Sequence, residues 1–246
     1  MIAPPPWFLA PPEDWDERRV LLPTDESHHA VKVMRIAAPD VITVTNGTGR
    51  VARCAAGPLL GGRLSAEILE DEQRRPLLPE VVVYQAAPKG HKADDVIEGL
   101  AELGVAETWI YDSERAVVKW DDAKQARLAE RWRTIVRSAA KRSRNPFLMR
   151  TGPVLSWSGL LERLGVEPLV IGLWEQATLP MRTALVEVSA RVALVVGPEG
   201  GLTQNESEAL ERAGAQIVSL GPLILRTESA PVVAASALLY HYGRIG

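Results

Sequence analysis

The feature that most constrains the fold of this chain is an alternation of short apolar runs with amphipathic segments, which begins near residue 80. The amphipathic segments place apolar residues three and four positions apart, as Val96, Leu100 and Leu103 do ahead of Gly104. Apolar runs of strand length occupy residues 81–84, 108–111, 169–171, 192–196 and 217–220. This alternation predicts the α/β class, with a parallel sheet covered on both faces by helices.

The strongest helix prediction covers residues 121–144, where Trp132, Val136 and Ala139 fall on one apolar stripe. Further helices are predicted to open near Pro180 and at Thr203, and a last one to run to about Tyr242.

The first 75 residues have a different pattern, in which apolar and polar residues alternate over short runs at 20–22, 41–45, 50–55 and 63–69. Asn46-Gly47 is a turn signal between two of these runs, and one helix is predicted from Thr24, which can cap it. Residues 70–80 combine charges with Pro76 and Pro79 and lack an apolar period. We therefore predict two domains, a β-rich domain over residues 1–75 and an α/β domain over residues 76–246.

Composition limits the functional classes. The 28 Lys and Arg against 31 Asp and Glu give a net charge of −3, so only local charge can indicate a nucleic-acid partner. Cys54 is the single cysteine, which excludes a disulfide framework and a thiolate zinc site, and we expect no metal. Charge-free stretches such as residues 213–225, which has 13 residues, are shorter than the roughly 20 residues of a membrane helix. Without a secretory signal pattern, a soluble cytoplasmic protein with no membrane partner is expected.

Two loops are candidates for a ligand site, because ligands of open parallel sheets bind outside the carboxyl ends of the strands. The loop after Val196 reads Gly197-Pro198-Glu199-Gly200-Gly201, and its glycines allow a ligand to approach the backbone closely. Thr203 and Glu206, which follow, have the spacing of a capping box. A tight strand-to-helix turn without a ligand is the alternative, and the loop matches neither a P-loop nor a dinucleotide fingerprint.

The second loop extends from Leu220 to Ser229 and joins an apolar run to a polar Arg-Thr-Glu-Ser segment before a helix. Arg226 is either a surface ion pair or a fixed donor fork for a planar or anionic group. Thr227 and Ser229 suit helix capping, and Glu228 suits the positive end of the helix dipole.

Basic residues are concentrated in one segment. Seven of them and no acidic residue lie between positions 131 and 150, and a solvated helix face usually mixes signs, so we favour nucleic acid over a solvated face. The predicted RNA contacts here are Arg133, Arg137, Lys141, Arg142 and Arg144.

In the first domain, His28-His29 lacks the further ligands of a metal site, so capping, packing or an RNA contact is preferred. The predicted RNA contacts of this domain are His29, Lys32 and Arg35.

Together, GPEGG with its capping box and the later LGPLILRTESA resemble the small-subunit ribosomal RNA uracil-N3 methyltransferase (RsmE) family, within the SPOUT class of S-adenosylmethionine enzymes. The His28–Arg35 stretch, Pro88-Lys89-Gly90 and the ELGV at 102–105 are also similar to elements of that family, so the resemblance covers nearly the whole chain. The chain departs from the family at Leu223, where arginine is usual, and at Glu98-Gly99 and Arg142-Ser143.

The resemblance implies a PUA-like β-barrel that binds RNA, followed by a SPOUT-like domain whose carboxyl-terminal segment forms a trefoil knot. It implies S-adenosylmethionine-dependent methylation of N3 of a uridine in 16S rRNA, on free rRNA or the small ribosomal subunit, by a homodimer. The implied cofactor-binding residues are Gly197, Glu199, Gly200, Gly201, Leu220, Gly221 and Leu225.

Methylation at N3 requires loss of the N3 proton while charge grows on O2 and O4, which a guanidinium stabilises and a carboxylate assists. Arg226 is therefore predicted to position the base, and Glu228 or Glu199 to accept or orient the proton. Two alternatives remain at this stage: a ribose 2′-O RNA methyltransferase of the same class, and a non-catalytic RNA-binding protein of ribosome assembly.

Overall fold

The computed structural model describes residues 4–116, 120–187 and 190–246. Its contacts divide the chain into two units, of which unit 1 comprises Met1–Pro76 and Ala140–Leu148, and unit 2 comprises Leu77–Ala139 and Met149–Gly246. Residues 140–148 therefore belong to the first unit, although residues 140–143 are the end of a long helix that begins in the second. The sequence pattern does not reveal that the chain returns to unit 1 at residue 140, because the apolar stripe of the helix continues past that residue.

Unit 1 contains a five-stranded sheet with the order β1-β3-β4-β5-β2. The β1–β3 pair is parallel and the other pairs are antiparallel. Its strands are β1 (Trp7–Leu9), β2 (Arg19–Leu21), β3 (Val41–Thr45), β4 (Arg50–Leu60) and β5 (Arg63–Gln73). A β-rich first domain was predicted without β1, whose three residues are too short for an alternating pattern.

Helix α1 (Thr24–His28) of unit 1 continues directly into one π-helical turn, His29–Val33. The prediction that Thr24 caps this helix is wrong: Pro23 occupies the N-cap position and makes no side-chain cap bond. The core of the unit lies between the strands and this helix and includes the fully buried Phe8, Ile42 and Val44.

The segment 140–148 pairs with the predicted Asn46-Gly47 turn within unit 1. The Leu148 amide donates to the Gly47 carbonyl oxygen over 2.9 Å, and the Gly49 amide donates to the Pro146 carbonyl oxygen over 3.1 Å. Gly47 has φ +79°, a left-handed conformation that favours glycine, and a Cβ there would lie 2.8 Å from a Leu148 methyl carbon, which would have to move.

Unit 2 contains a six-stranded sheet with the order β11-β9-β10-β6-β7-β8, and every pairing is parallel. The predicted α/β class with a parallel sheet flanked by helices is confirmed. Its strands are β6 (Glu80–Ala86), β7 (Glu107–Tyr111), β8 (Arg150–Thr151), β9 (Val170–Leu173), β10 (Arg191–Val196) and β11 (Ala215–Val218).

The described part of the chain contains five more α-helices: α2 (Lys92–Glu102), α3 (Asp122–Ser143), α4 (Trp157–Leu164), α5 (Gln204–Arg212) and α6 (Ala230–His241). The helix predicted near Pro180 is a short 3₁₀ turn, Met181–Ala184. Trp132, Val136 and Ala139 of α3 are buried, as the apolar stripe predicted. Within the described residues, no helix combines the length and the apolar character needed to cross a membrane.

The central strands β6 and β10 are apolar and buried over nearly their whole length, as strands covered on both faces must be. At their amino ends, Arg191 makes ion pairs with Glu107 at 2.9 Å, Glu167 at 3.0 Å and Glu80 at 3.4 Å. Arg150 also pairs with Glu107. The charged groups at this edge therefore join the amino ends of four strands, β6, β7, β8 and β10, while the opposite edge carries the loops.

Candidate active site

The loops that follow β10 and β11 line one cavity of about 640 Å³ at the carboxyl edge of the unit 2 sheet. Leu173, Trp174 and Glu175 after β9 also line it, as do Lys92 of α2 and Arg226. All the residues predicted to hold the cofactor lie on this cavity: Gly197, Glu199, Gly200, Gly201, Leu220, Gly221 and Leu225. The two sequence motifs, which are separated by α5 and β11, therefore meet in space as predicted.

The glycine-rich loop after β10 is held in one conformation by its neighbours. The Gly201 amide donates to the Pro198 carbonyl oxygen over 2.9 Å, and the Arg115 guanidinium donates to the Gly200 carbonyl oxygen over 2.8 Å. Gly201 has φ +68°, a left-handed conformation, and a Cβ there would face the end of the Glu175 side chain. The conformation of the backbone therefore favours glycine at this position.

The predicted capping box at the start of α5 is confirmed. The Glu206 amide donates to Thr203 Oγ1 over 3.1 Å, and the Thr203 amide donates to Glu206 Oε2 over 2.8 Å. Glu206 is buried, and its other oxygen accepts from the Glu114 amide over 2.7 Å. The helix start is thus fixed to the chain after β7, which sequence reasoning did not identify.

Gln85 and Thr227 connect the two loops. Gln85, at the end of β6, is fully buried and directs its side-chain amide to the Gly197 carbonyl oxygen at 3.2 Å and to Thr227 Oγ1 at 3.1 Å. Thr227 in turn donates to the Gly197 carbonyl oxygen over 3.3 Å. Thr227 therefore joins the loops rather than capping α6, and Ser229 occupies the N-cap position without a side-chain cap bond. The signal in the sequence for Gln85 is a lone amide within an apolar strand.

Three charged side chains meet beside the cavity: Lys92 and Glu199, which line it, and Glu228, which is not among its lining residues. Lys92, which sequence reasoning missed, contacts both carboxylates. Its ammonium lies 3.2 Å from Glu199 Oε1 and 3.3 Å from Glu228 Oε2. Glu199 Oε1 also accepts from the Lys89 amide over 3.0 Å. Arg226 is 84% exposed and lies 3.9 Å from Glu228 Oε1, so its guanidinium is open to a further partner.

These contacts shift the ionisation of two of the groups. Burial alone would raise the pKa of Glu199, but hydrogen bonds from the Lys89 amide and the Lys92 ammonium lower it below its ordinary value. The hydrogen bond to Glu199 raises the pKa of Lys92 against its partial burial, and Glu228 adds to this. Both groups are therefore charged near neutral pH. Among the described residues, no donor hydrogen-bonds to the buried Oε2 of Glu228, although the Lys92 ammonium is close.

The RNA contacts predicted in unit 1 lie on and after α1. His29, Lys32 and Arg35 are exposed, and the His29 ring packs edge-on to Phe8 at a centroid distance of 6.4 Å. Arg35 has φ +58°, so it ends the π-helical turn in a left-handed conformation.

The basic residues of α3 and of the segment after it differ in their surroundings. Arg133 is exposed and paired with Glu130, whereas Lys141 is half-buried with its ammonium 2.6 Å from the buried Glu26. Arg131, also in this basic segment, pairs at 2.7 Å with Asp94 of α2. Arg137 is half-buried, and Arg142 and Arg144 are exposed. Part of the positive charge in this run is therefore compensated by carboxylates distant in sequence.

In the described residues, no three His, Cys, Asp or Glu side chains are placed to hold a metal ion. The buried Cys54 lies in unit 1, where burial raises the pKa of its thiol to about 12.

Comparison with known proteins gives two domain matches. The family model described as RNA methyltransferase domain matches residues 75–239, which is most of the chain. The model described as RNA methyltransferase PUA domain matches residues 22–55.

Individual relatives agree with these matches. The chain is 37% identical over 218 residues to ribosomal RNA small subunit methyltransferase E of Mycobacterium tuberculosis, covering 87% of this chain and 83% of the relative. It is 34% identical over 224 residues to the Bacillus subtilis protein of the same name, with 88% of each chain covered. The crystal structure of the Neisseria gonorrhoeae protein of that name, bound to S-adenosyl methionine, superposes with a TM-score of 0.84 at 28% identity, covering 96% of this chain and 97% of that one. This chain therefore belongs to the RNA methyltransferase domain family, among the ribosomal RNA small subunit methyltransferase E proteins.

Proposed function

We propose that this protein transfers a methyl group from S-adenosylmethionine to N3 of a uridine in 16S rRNA. The observation that carries the proposal is the single cavity built by the loops after β10 and β11, with Arg226 and Lys92 on its lining. The names of the relatives support an rRNA substrate, and the ligand of the Neisseria gonorrhoeae structure supports the methyl donor.

The residues of the cavity fit S-adenosylmethionine. A volume of about 640 Å³ is within the range of small-molecule sites. A Cβ at Gly197 would lie 3.1 Å from the Leu202 amide nitrogen, so the loop backbone is closely packed at this position. Glu175 and Glu199 supply negative charge that complements a sulfonium. The residues that would hold the cofactor are Gly197, Glu199, Gly200, Gly201, Leu220, Gly221 and Leu225.

S-adenosylmethionine, when bound, supplies a methyl group already activated by its positive sulfur. The chain must then orient the uracil and manage the N3 proton. The exposed guanidinium of Arg226 donates to a uracil carbonyl oxygen, where negative charge grows as N3 loses its proton. This interaction strengthens as the charge develops and therefore favours the reaction rather than mere binding.

Glu228 is the proton acceptor in this proposal, and Glu199 is an orienting group. Glu199 Oε1 is already occupied by the Lys89 amide and the Lys92 ammonium, and its pKa is lowered below the ordinary value. The Lys92 ammonium also lies 3.3 Å from Glu228 Oε2, so the two carboxylates differ in their other contacts: Glu228 Oε1 faces Arg226 at 3.9 Å, whereas Glu199 Oε1 accepts from the Lys89 amide. The carboxylate beside the base-binding arginine is the better placed general base.

RNA binding is assigned to both units. The match to the RNA methyltransferase PUA domain supports an RNA contact through unit 1. The proposed contacts are His29, Lys32, Arg35, Lys141, Arg142 and Arg144 in unit 1, and Arg133 and Arg137 in unit 2.

Family membership also supports finer proposals on architecture. We propose that residues 1–75 form a PUA-like β-barrel, that residues 76–246 form a SPOUT methyltransferase domain with a carboxyl-terminal trefoil knot, and that the protein acts as a cytoplasmic homodimer on 16S rRNA or the small ribosomal subunit.

The test is to incubate purified protein with S-adenosylmethionine and either 16S rRNA or small subunits from cells lacking it, and to identify the modified nucleoside by mass spectrometry. We expect 3-methyluridine at one site. A methyl group on ribose O2′ would contradict the N3 assignment. Failure to bind S-adenosylmethionine in titration calorimetry would instead indicate an RNA-binding protein without catalysis.

A further inference from the structure

Lys92 occupies a position between two carboxylates that come from distant parts of the chain. Glu199 belongs to the loop after β10, Glu228 immediately precedes α6, and Lys92 is the first residue of α2. Its ammonium is 3.2 Å from Glu199 and 3.3 Å from Glu228, so one cation serves both.

The burial of the three groups makes this contact more than a surface ion pair. The side chains of Lys92, Glu199 and Glu228 are 35%, 23% and 19% exposed. Partly buried carboxylates brought together without a cation repel each other and lose solvation. Arg226 cannot replace Lys92 in this role, because its side chain is 84% exposed and lies 3.9 Å from Glu228 only.

The neighbouring charged groups of α2 are directed elsewhere. His91 faces Asp94 at 3.7 Å, and Asp94 also binds Arg131 at 2.7 Å. Lys89 contributes its backbone amide to Glu199. Lys92 is thus the side-chain cation that reaches both carboxylates among the residues the structure describes.

We propose that Lys92 is a positioning residue for methyl transfer. Its ammonium holds Glu228 against the Glu199 loop and satisfies Glu228 electrostatically, so that Arg226 can turn to the uracil without leaving a carboxylate uncompensated. The proposal rests on the proposed function, because it assigns Lys92 to the same reaction. Lys92 acts through Glu228 and does not itself exchange a proton with the base.

The test compares Lys92→Met and Lys92→Arg with the unaltered protein in steady-state methylation of rRNA. Lys92→Met is expected to lower kcat by about 10- to 100-fold, within the range of a misplaced general base. The KM for rRNA and the Kd for S-adenosylmethionine, measured by calorimetry, should change by less than about threefold, roughly the effect of a weak contact. Lys92→Arg should restore most of kcat, because arginine keeps the bridging cation.

The matched control is Lys124→Met on α3, which removes the same charge and chain length from an exposed lysine that lies over the Trp120 ring. It should leave kcat unchanged. Thermal melting of each variant identifies a loss of fold. If Lys92→Met fails to fold, Lys92→Gln, which also removes the charge but keeps a polar side chain, carries the comparison with the same expected loss of kcat.

A double variant tests whether Lys92 works through Glu228. In a Glu228→Gln background, Lys92→Met should lower kcat by less than about twofold, because residues that act as a unit are not additive. Independent, multiplying effects would overturn the proposal, as would an unchanged kcat in Lys92→Met or a loss confined to S-adenosylmethionine affinity. If the unaltered protein itself fails to methylate rRNA, the proposed function fails. If it methylates and Lys92→Met behaves like Lys124→Met, only the role of Lys92 fails.

Discussion

Arg226 and Lys92 are both cations on the cavity lining, yet their surroundings differ. Lys92 contacts two carboxylates, whereas Arg226 is 84% exposed and has a distant partner in Glu228. An exposed guanidinium retains its donors for a substrate, and a bridging ammonium does not. For this reason Arg226 is assigned to contact with the substrate and Lys92 to positioning.

Arg226→Ala should lower kcat for rRNA methylation by about 100-fold or more, which is typical of losing one donor to a developing oxyanion. The melting temperature should change little, because an exposed side chain contributes little to folding. The measurement is a single-turnover methylation assay beside a thermal melt. Arg212→Ala, an exposed arginine paired with Glu208 on α5, is the control. Full activity of Arg226→Ala would contradict the assigned role.

The residues of the site differ in how far the local sequence indicates their role. Arg226 and Glu199 stand out because they occur in unusual loops, and the capping box of Thr203 and Glu206 has a fixed local spacing. Lys92 and Gln85 act through partners more than 100 positions away in the sequence, so no local pattern indicates those contacts, although Gln85 is a lone amide within an apolar strand. Only the parallel strand order brings those partners together.

Strand β10 illustrates how one element serves both stability and the site. Arg191 at its amino end binds Glu107, and the Gly197 loop at its carboxyl end forms part of the cavity. Burial alone would raise the pKa of Glu107, but hydrogen bonds from Trp109, Arg191 and Arg150 lower it below its usual 4.5. The carboxylate of Glu107 is therefore favoured in the folded state.

The sign of the pH effect follows from this lowered pKa. Glu107 contributes stability fully above its ordinary value of 4.5, and the contribution is lost as the pH falls through the lower pKa of the folded state. Glu107→Gln should reduce the free energy of unfolding by about 1–3 kcal/mol at pH 7, since Arg191 and Arg150 lose a charged partner. The difference from the unaltered protein should shrink below pH 4.5.

Urea unfolding between pH 3 and pH 7 measures this difference, with Glu211→Gln on the exposed face of α5 as the control. A constant difference between Glu107→Gln and the unaltered protein across the range would show that ionisation of Glu107 does not stabilise the fold.

Helices and strands whose apolar residues recur at a regular spacing were predicted from the sequence, and elements without such a spacing were not. The buried strands β6 and β10 and the helices α2, α3, α5 and α6 follow clear patterns of apolar residues. Strand β8 has two residues and α4 has eight, which is too short for a period to be recognised. The two-domain prediction likewise followed composition, whereas the return of residues 140–148 depends on hydrogen bonds to a turn about 100 residues earlier.

At the scale of the whole molecule, the net charge is −3 although the proposed substrate is a polyanion. Binding must then depend on where the basic residues lie. Carboxylates already pair with Arg133 and Lys141, whereas Lys32 and Arg35 are exposed on the turn after α1. We therefore expect Lys32 and Arg35 to contribute more to RNA affinity than two of the 28 basic residues would on average.

Lys32→Ala combined with Arg35→Ala should weaken rRNA binding and reduce the slope of log affinity against log salt by about 1 to 2, as expected from losing one or two phosphate contacts. Filter binding or fluorescence anisotropy over a salt series measures this slope. Arg18→Ala combined with Arg19→Ala removes the same charge from unit 1 and is the control. Equal slopes for the two double variants would mean that net charge, and not a local contact, governs binding.

The hydrogen bond between Thr227 and Gly197 has a consequence for how the protein is made. Besides Lys92, the cavity is lined by residues 173–175, 196–201, 219–227 and 230, and translation delivers them in that order. A nascent chain that has emerged only as far as Gly201 has the glycine loop but lacks the segment that Thr227 fastens to it. Cofactor affinity can therefore arise only late in synthesis, so the appearance of a ligand-competent state would mark the passage of Thr227 out of the exit tunnel.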